Sequence, residues 1–313
     1  MTLLLQYTLL YFSVLFIVAL GGCISEHSGV INLGLEGTMV IGALGGALTM
    51  KFCAGLPAGL LVLLVIVVSM ASGLLYSCLL SIAAIKFKAD QTLIGIAMNL
   101  LATAAATVLV KSMNMAENAS NPSSTIQFIS QRKYLFFHIG SFEISVFLIL
   151  AVALLIGGHL YLYKTRAGLR LRACGEHPQA ADSVGIKVNK IRYIGVSLSG
   201  ILGGLGGIAY ITAGVSEWKF ENGVAGFGFL ALAVMIFGQW KPINIALAAL
   251  LFGFLRALSN VYMGIPFLAN INLPGTFYNM LPYIICLVVL IFASKRSAAP
   301  KAEGIPYDKG EKR

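Results

Sequence analysis

The sequence predicts an all-α, polytopic transmembrane helical bundle. Hydrophobic residues make up 58% of the 313-residue chain and charged residues 11%, whereas a soluble domain carries roughly a quarter charged. Mean hydropathy is +0.88. The apolar residues fall in runs of the roughly 20 residues that an α-helix needs to cross a bilayer. No ten-residue stretch alternates with the period of two that a membrane barrel requires.

Taken in order, the runs predict about nine spans, within a range of about 8–10, near 2–22, 29–50, 57–85, 91–111, 141–163, 193–213, 226–239, 242–262 and 275–294. The first is too long and too lightly charged at its front for a cleaved signal peptide, and is read as a span. Residues 1–294 form a single transmembrane domain, interrupted by the polar loop 164–192. Residues 295–313, with Pro300, Gly304, Pro306 and Gly310, have the composition of a disordered tail. Residues 112–140 read as a surface loop ending in the interfacial cluster Tyr134 to Phe137.

Charge fixes the orientation. The loop 164–192 holds Lys164, Arg166, Arg170, Arg172, Lys187, Lys190 and Arg192, and short basic loops stay on the cytoplasmic side. Lys86, Lys88, Lys241 and the basic tail then lie on the same side, leaving Lys51, Lys111, Arg132, Lys133 and Lys219 opposite. The net charge of +10 is thus a topological signal and predicts no nucleic-acid partner. Arg256, toward the outer end of its span, is expected to snorkel to the interface. The five cysteines are isolated and read as small apolar fillers, with no metal site.

Four polar residues inside the spans are candidates for a translocation pathway. Asn32 and Glu36 stand four apart in SGVINLGLEG, a spacing that puts them on one helical face. An ionisable group at membrane depth faces protein or a water-filled cavity. Pathway lining and a structural kink are equally compatible with these residues. Gln91 and Asn99, eight apart, share a face of the fourth span, where interhelical hydrogen bonding is favoured over ligand contact. The pairs Gly200/Gly204 and Gly203/Gly207 have the small-xxx-small spacing of close helix packing. In the loop, Pro178 opens a short amphipathic helix carrying Ala180 and Ala181, and Gly185 supplies its exit. The chain carries no GxxxxGK[ST] loop, HExxH or nucleophile elbow, so no nucleotide or catalytic chemistry is its own.

The run Gly175-Glu176-His177-Pro178-Gln179-Ala180-Ala181, followed by Gly185, resembles the coupling loop of ABC-importer permeases. It is similar to the branch that imports simple sugars, branched-chain amino acids and nucleosides. The stretches SGVINLGLEG, KFKADQTLIGIAMNLLA and FGQWKP resemble the same branch, most like guanosine-type nucleoside permeases. In the family's turn, Trp240 lies at the interface. The resemblance implies an ATP-driven importer subunit in a bacterial inner or plasma membrane, with the coupling loop and C-terminus cytoplasmic. It implies a separate cytoplasmic ATPase contacted by Glu176, Pro178, Gln179, Ala180, Ala181 and Gly185. A second permease subunit, like or unlike this one, and an external substrate-binding protein or lipoprotein complete the expected assembly. The chain itself then holds no cofactor, ATP being used by the partner. Simple sugar and branched-chain amino acid are the alternative substrates. An ion-coupled secondary transporter would want paired membrane carboxylates, and an intramembrane enzyme a catalytic constellation.

Overall fold

The computed structural model describes residues 2–140, 142–213, 216–264, 275–293 and 298–309. It is mostly helical. The long helices are α1 (Thr2–His27), α2 (Leu35–Phe52), α3 (Ala58–Ser81, extended by a π-helical turn Ile82–Lys86) and α4 (Gln91–Glu117). After the one-turn α5 (Ile129–Arg132) come α6 (Val146–Lys164), the loop helices α7 (Arg166–Glu176) and α8 (Pro178–Ser183), and α9 (Val188–Thr212). The short α10 (Phe227–Phe237), α11 (Pro242–Val261) and α12 (Gly275–Ala293) follow. Seven helical segments among the described residues are long and apolar enough to cross a membrane, namely Thr2–His27, Ala58–Lys86, Gln91–Glu117, Val146–Lys164, Val188–Thr212, Phe220–Phe237 and Pro242–Gly264. Helices α2 and α12 occupy the remaining two positions that the sequence predicts.

Among the described residues, strands occur as short pairs at one end of the bundle, here the strand face. There β1 (Thr125–Gln127) pairs antiparallel with β4 (Glu217–Lys219), Thr125 opposite Lys219. A hairpin of β2 (Phe136–Ile139) and β3 (Phe142–Ser145) turns through Gly140 at φ +63°. The predicted surface loop 112–140 is therefore partly structured, with Asn114 Nδ2 donating to the carbonyls of Ser123 and Thr125 (2.8 and 2.9 Å). The opposite end, the loop face, carries α7 and α8. Helix α1 runs from one to the other: Gln6 Nε2 donates to Glu143 of β3 (3.2 Å), while the carbonyl of His27 lies against Gly175 of α7.

Local chemistry sets the helix ends. Asp90 caps α4, its Oδ1 accepting from the Thr92 and Leu93 amides (2.8 and 3.0 Å). Thr165 Oγ1 accepts from Gly168 to start α7 (3.0 Å). Proline at the first turn opens α8 and α11, where its missing N–H costs nothing. The centre of the bundle is α9, buried along most of its length between α1, α2 and α3. Its glycines are the reason it fits. A Cβ on Gly207 would fall 1.9 Å from the Met39 carbonyl oxygen, and one on Gly42 of α2 would fall 2.2 Å from Gly204 Cα. The small-xxx-small spacing thus permits backbone-to-backbone packing. Outward-facing leucines, such as Leu75 and Leu100 at 71% and 70% exposed, give α3 and α4 an apolar outer face.

The tail departs from the sequence expectation. Residues 298–309 are not a detached coil but lie on the loop face: the Ala298 amide donates to Gln239 Oε1 (2.9 Å) and the Ala302 amide to the Gly175 carbonyl (2.8 Å). Its low hydrophobicity signals disorder only for a free chain, and here the bundle supplies polar partners. Residues 294–297 and 310–313 lie outside the described residues.

Gly207→Ala should lower the melting temperature of the purified protein by the equivalent of about 1–3 kcal/mol of overpacking or more. Gly157→Ala, where nothing lies within 4 Å of the added methyl, should leave it unchanged or raise it slightly.

Candidate functional site

The turn between α1 and α2 is held by a dense set of hydrogen bonds. Ser25 Oγ donates to the Val30 carbonyl (2.7 Å) and Ser28 Oγ to the Ser25 carbonyl (2.6 Å). Gly29 adopts φ +91°, and a side chain there would meet the Arg192 guanidinium at 2.8 Å. Helix α2 begins only at Leu35. Asn32 therefore sits in the turn and does not share a helical face with Glu36, contrary to their spacing. Its Nδ2 donates to Ser199 Oγ of α9 (2.9 Å), leaving Oδ1 without a partner among the described residues. Gln91 and Asn99 do share a face, as predicted, and both address this turn. Gln91 Oε1 accepts from the Ile31 amide (2.7 Å). Asn99 accepts from Gly37 N (2.8 Å) and donates to the Leu33 carbonyl (2.9 Å).

Glu36 has a different task. Its two carboxylate oxygens accept from the amides of Gly226 and Gly228 (2.8 and 2.7 Å), the first turn of α10. A helix beginning inside the bundle exposes amides that no preceding turn satisfies, and a carboxylate there answers both the donors and the helix dipole. Gly226 at φ +80° makes the entry. A Cβ on Gly228 would lie 2.5 Å from Glu36 Cα, so glycine is what lets the two helices meet.

Beside this junction lies a buried aromatic cluster that the sequence pattern does not announce. Phe227, the first residue of α10, packs against Tyr210 of α9 (centroids 4.2 Å apart) and Tyr11 of α1 (5.5 Å). Tyr210 meets Trp218 edge-on at 5.4 Å. Arg256 does not snorkel outward; its guanidinium stands over the Phe227 ring at 5.4 Å, with Nε unpartnered among the described residues. A ring face 5.4 Å away is a better site for a desolvated cation than bare lipid. Asn260 donates to the Tyr11 hydroxyl. The overlooked signal was a matched pair of spacings, Tyr7/Tyr11 and Arg256/Asn260, each four apart on helices that pack together.

At the loop face, α8 starts at Pro178 and the chain leaves it through Gly185 at φ +84°. Glu176, Gln179, Ala180 and Gly185 are exposed, but Pro178 and Ala181 are buried. Ala181 packs with Cys174 and Val188 inside the chain, so it is not available to a partner; the outward apolar residue is Val184, 75% exposed. Trp240, expected at the interface, is buried: its Nε1 donates to the Glu26 carboxylate (2.5 Å). Its carbonyl accepts from His27 Nε2 (3.0 Å) and Cys23 Sγ (3.2 Å). These bonds hold Gln239 and Trp240 at φ +52° and +54°, a strained conformation for side-chain-bearing residues.

A polytopic bundle with an internally started helix and an exposed loop helix is the architecture of a membrane permease. The family described as "Branched-chain amino acid transport system / permease component" matches residues 4–294, and the chain belongs to it. It is 40% identical over 313 residues, covering 97% of this chain and 96% of the relative, to the guanosine ABC transporter permease protein NupQ of Bacillus subtilis. It is 37% identical, at the same coverage of both chains, to the nucleoside ABC transporter permease protein NupC of Lactococcus lactis. A putative glucose ABC transporter permease protein of Haloferax volcanii is 29% identical over 331 residues, covering 96% of this chain and 95% of the relative. The chain is therefore a multi-pass membrane permease component of an ABC importer and not an enzyme; ATP hydrolysis lies in a separate subunit.

Glu36→Ala should lower both the melting temperature and transport, because two amides lose their acceptor, at about 1–3 kcal/mol for each unsatisfied buried group. Glu36→Gln, which keeps one acceptor oxygen, should fall between. Unchanged melting with abolished transport would instead make Glu36 a substrate contact.

Proposed function

We propose that this permease imports nucleosides, and that the base passes the aromatic cluster at the start of α10. The carrying observation is the near-full-length similarity to permeases named for guanosine and nucleosides. The cluster suits that substrate. Aromatic faces stack bases at about 1–3 kcal/mol each, and Arg256, over the Phe227 ring, has an unpartnered Nε among the described residues. Nine spans, with the loop face and C-terminus cytoplasmic, accord with the basic residues gathered there. A cytoplasmic ATPase would dock on Glu176, Gln179, Ala180 and Val184. A second permease subunit and an external binding protein or lipoprotein would complete the importer.

The geometry supports a mechanism in which loop movement reaches the pathway through α10. Gly175 of α7 lies against the His27 carbonyl, His27 bonds Trp240, and Trp240 ends the turn below α10. Helix α10 is 11 residues long, about 16 Å, and its far end holds Phe227 against Tyr11 and Tyr210. A shift of the docked loop would therefore tilt or slide one short helix at the aromatic cluster. Simple-sugar import is the second reading, favoured by similarity to a permease named for glucose.

Reconstituted with its ATPase, second permease and binding protein, the chain should support ATP-dependent uptake of labelled guanosine. Unlabelled nucleosides should compete and glucose or leucine should not; competition by glucose would favour the second reading. Tyr210→Leu should raise the half-saturating guanosine concentration about tenfold, the loss of one stacking face. Val184→Asp should give a well-inserted permease that no longer co-purifies with the ATPase. Ala181→Asp should instead lower the melting temperature, because it buries a charge within the loop.

A further inference from the structure

The strap of residues 298–309 touches both the docking loop and the elements that hold the α1–α2 turn. On the docking side, the Ala302 amide donates to Gly175 of α7, and Lys309 pairs with Asp182 of α8 at 3.7 Å. Tyr307 packs on the Cys174, Ala181 and Val188 cluster that seats α8. On the membrane side, Arg192 of α9 is 1% exposed, and its Nη1 donates to the Ile305 carbonyl (2.9 Å). That carbonyl is the hydrogen-bond partner of the guanidinium among the described residues; Nε and Nη2 have none. Gly304, at φ +74°, fits against Ile31 of the turn, where a Cβ would lie 2.7 Å from the isoleucine side chain. Lys88, before α4, pairs with Asp308, and Gln239 holds Ala298.

Between the two sides the Glu303 carboxyl hydrogen-bonds the carboxyl of Glu26. Two carboxyl groups share a hydrogen bond only when at least one is protonated. Burial accordingly pushes Glu303 up to about 7. Glu26, held in turn by Trp240 Nε1, is the ionisable group that faces it. Arg192, Lys88 and Asp182 meet the strap further along, at Ile305, Asp308 and Lys309.

We propose that residues 298–309 are a latch, holding the docking loop and the α1–α2 turn in one arrangement, and that it must release in each transport cycle. The inference rests on the reading of the chain as an ATP-driven permease whose loop moves. Because the latch bonds both sides, α8 cannot shift relative to the turn without breaking one set of contacts. A polar tail is suited to this: its bonds exchange for water at little net cost.

The test uses the complete reconstituted importer. In the double variant Asp182→Cys with Lys309→Cys, a short cleavable thiol cross-linker fixes the latch to α8. A second pair, Lys88→Cys with Asp308→Cys, fixes it to the core. Both pairs linked in one molecule should cut ATP-dependent guanosine uptake at least tenfold, and reductive cleavage should restore it. Uptake at the unlinked rate by the doubly linked complex overturns the proposal. Uptake by the unlinked complex, measured in the same preparation, tests the importer reading separately. A chain ending at residue 297 should show several-fold higher ATP hydrolysis without binding protein, and unchanged hydrolysis would count against the latch. Since the seated strap holds the extra proton, its attachment is full below the ordinary carboxylate range and weakens as pH rises through about 7. Hydrogen exchange across 298–309 should be slower at pH 6 than at pH 8, and Glu303→Gln should remove that difference. An identical difference in the variant would overturn the role of Glu303.

Discussion

A helix that starts inside a membrane bundle must find acceptors for its first amides, because no water is there to supply them. In this protein Glu36 meets that demand, and much of the interior is arranged around the contact. To bring the carboxylate to Gly226 and Gly228, α2 must itself begin late, at Leu35. The preceding turn therefore needs partners of its own. Gln91 and Asn99 provide them from α4, and Ser199 from α9. What reads along the sequence as scattered polar residues is one network serving two chain breaks. The aromatic cluster follows from it, since anchoring α10 at its first turn presents Phe227 to Tyr11, Tyr210 and Arg256.

The same logic explains the glycines. Close approach of α9 to α2 and α3 leaves no room for Cβ at Gly42, Gly204 or Gly207. The bundle is thus held by backbone contact and polar links in its interior, with leucines turned outward. Rigid packing around α9 contrasts with the short α10, whose two ends are each fixed by a few hydrogen bonds.

The helices and their order were legible in the sequence because each is an apolar run bounded by charge, proline or glycine. The loop helix α8 was legible because Pro178 and Gly185 have local meanings, a helix start and a left-handed exit, that the structure shows. Other features depend on tertiary neighbours. Whether Ala181 faces a partner or the chain is decided by Cys174 and Val188, far from any local pattern. Arg256, a lone cation in an apolar run, suggests a side chain reaching past lipid, but its neighbour is an aromatic ring from another helix. The Asn32 and Glu36 spacing suggested a shared face because nothing local announces that α2 starts only at Leu35. The tail has the composition of a coil, and only the groove formed by α1, α7 and α9 makes it a seated segment.

The claim on which the account turns is that the aromatic cluster at the start of α10 lies on the substrate's path. Single cysteines at Tyr210 and Phe227, in a chain freed of its own reactive thiols, can be labelled in the assembled importer with a membrane-impermeant reagent. The account predicts that labelling depends on ATP and is slowed by guanosine. Equal inaccessibility of both positions in every state, in a complex that still transports, would contradict it and return the aromatic cluster to ordinary core packing.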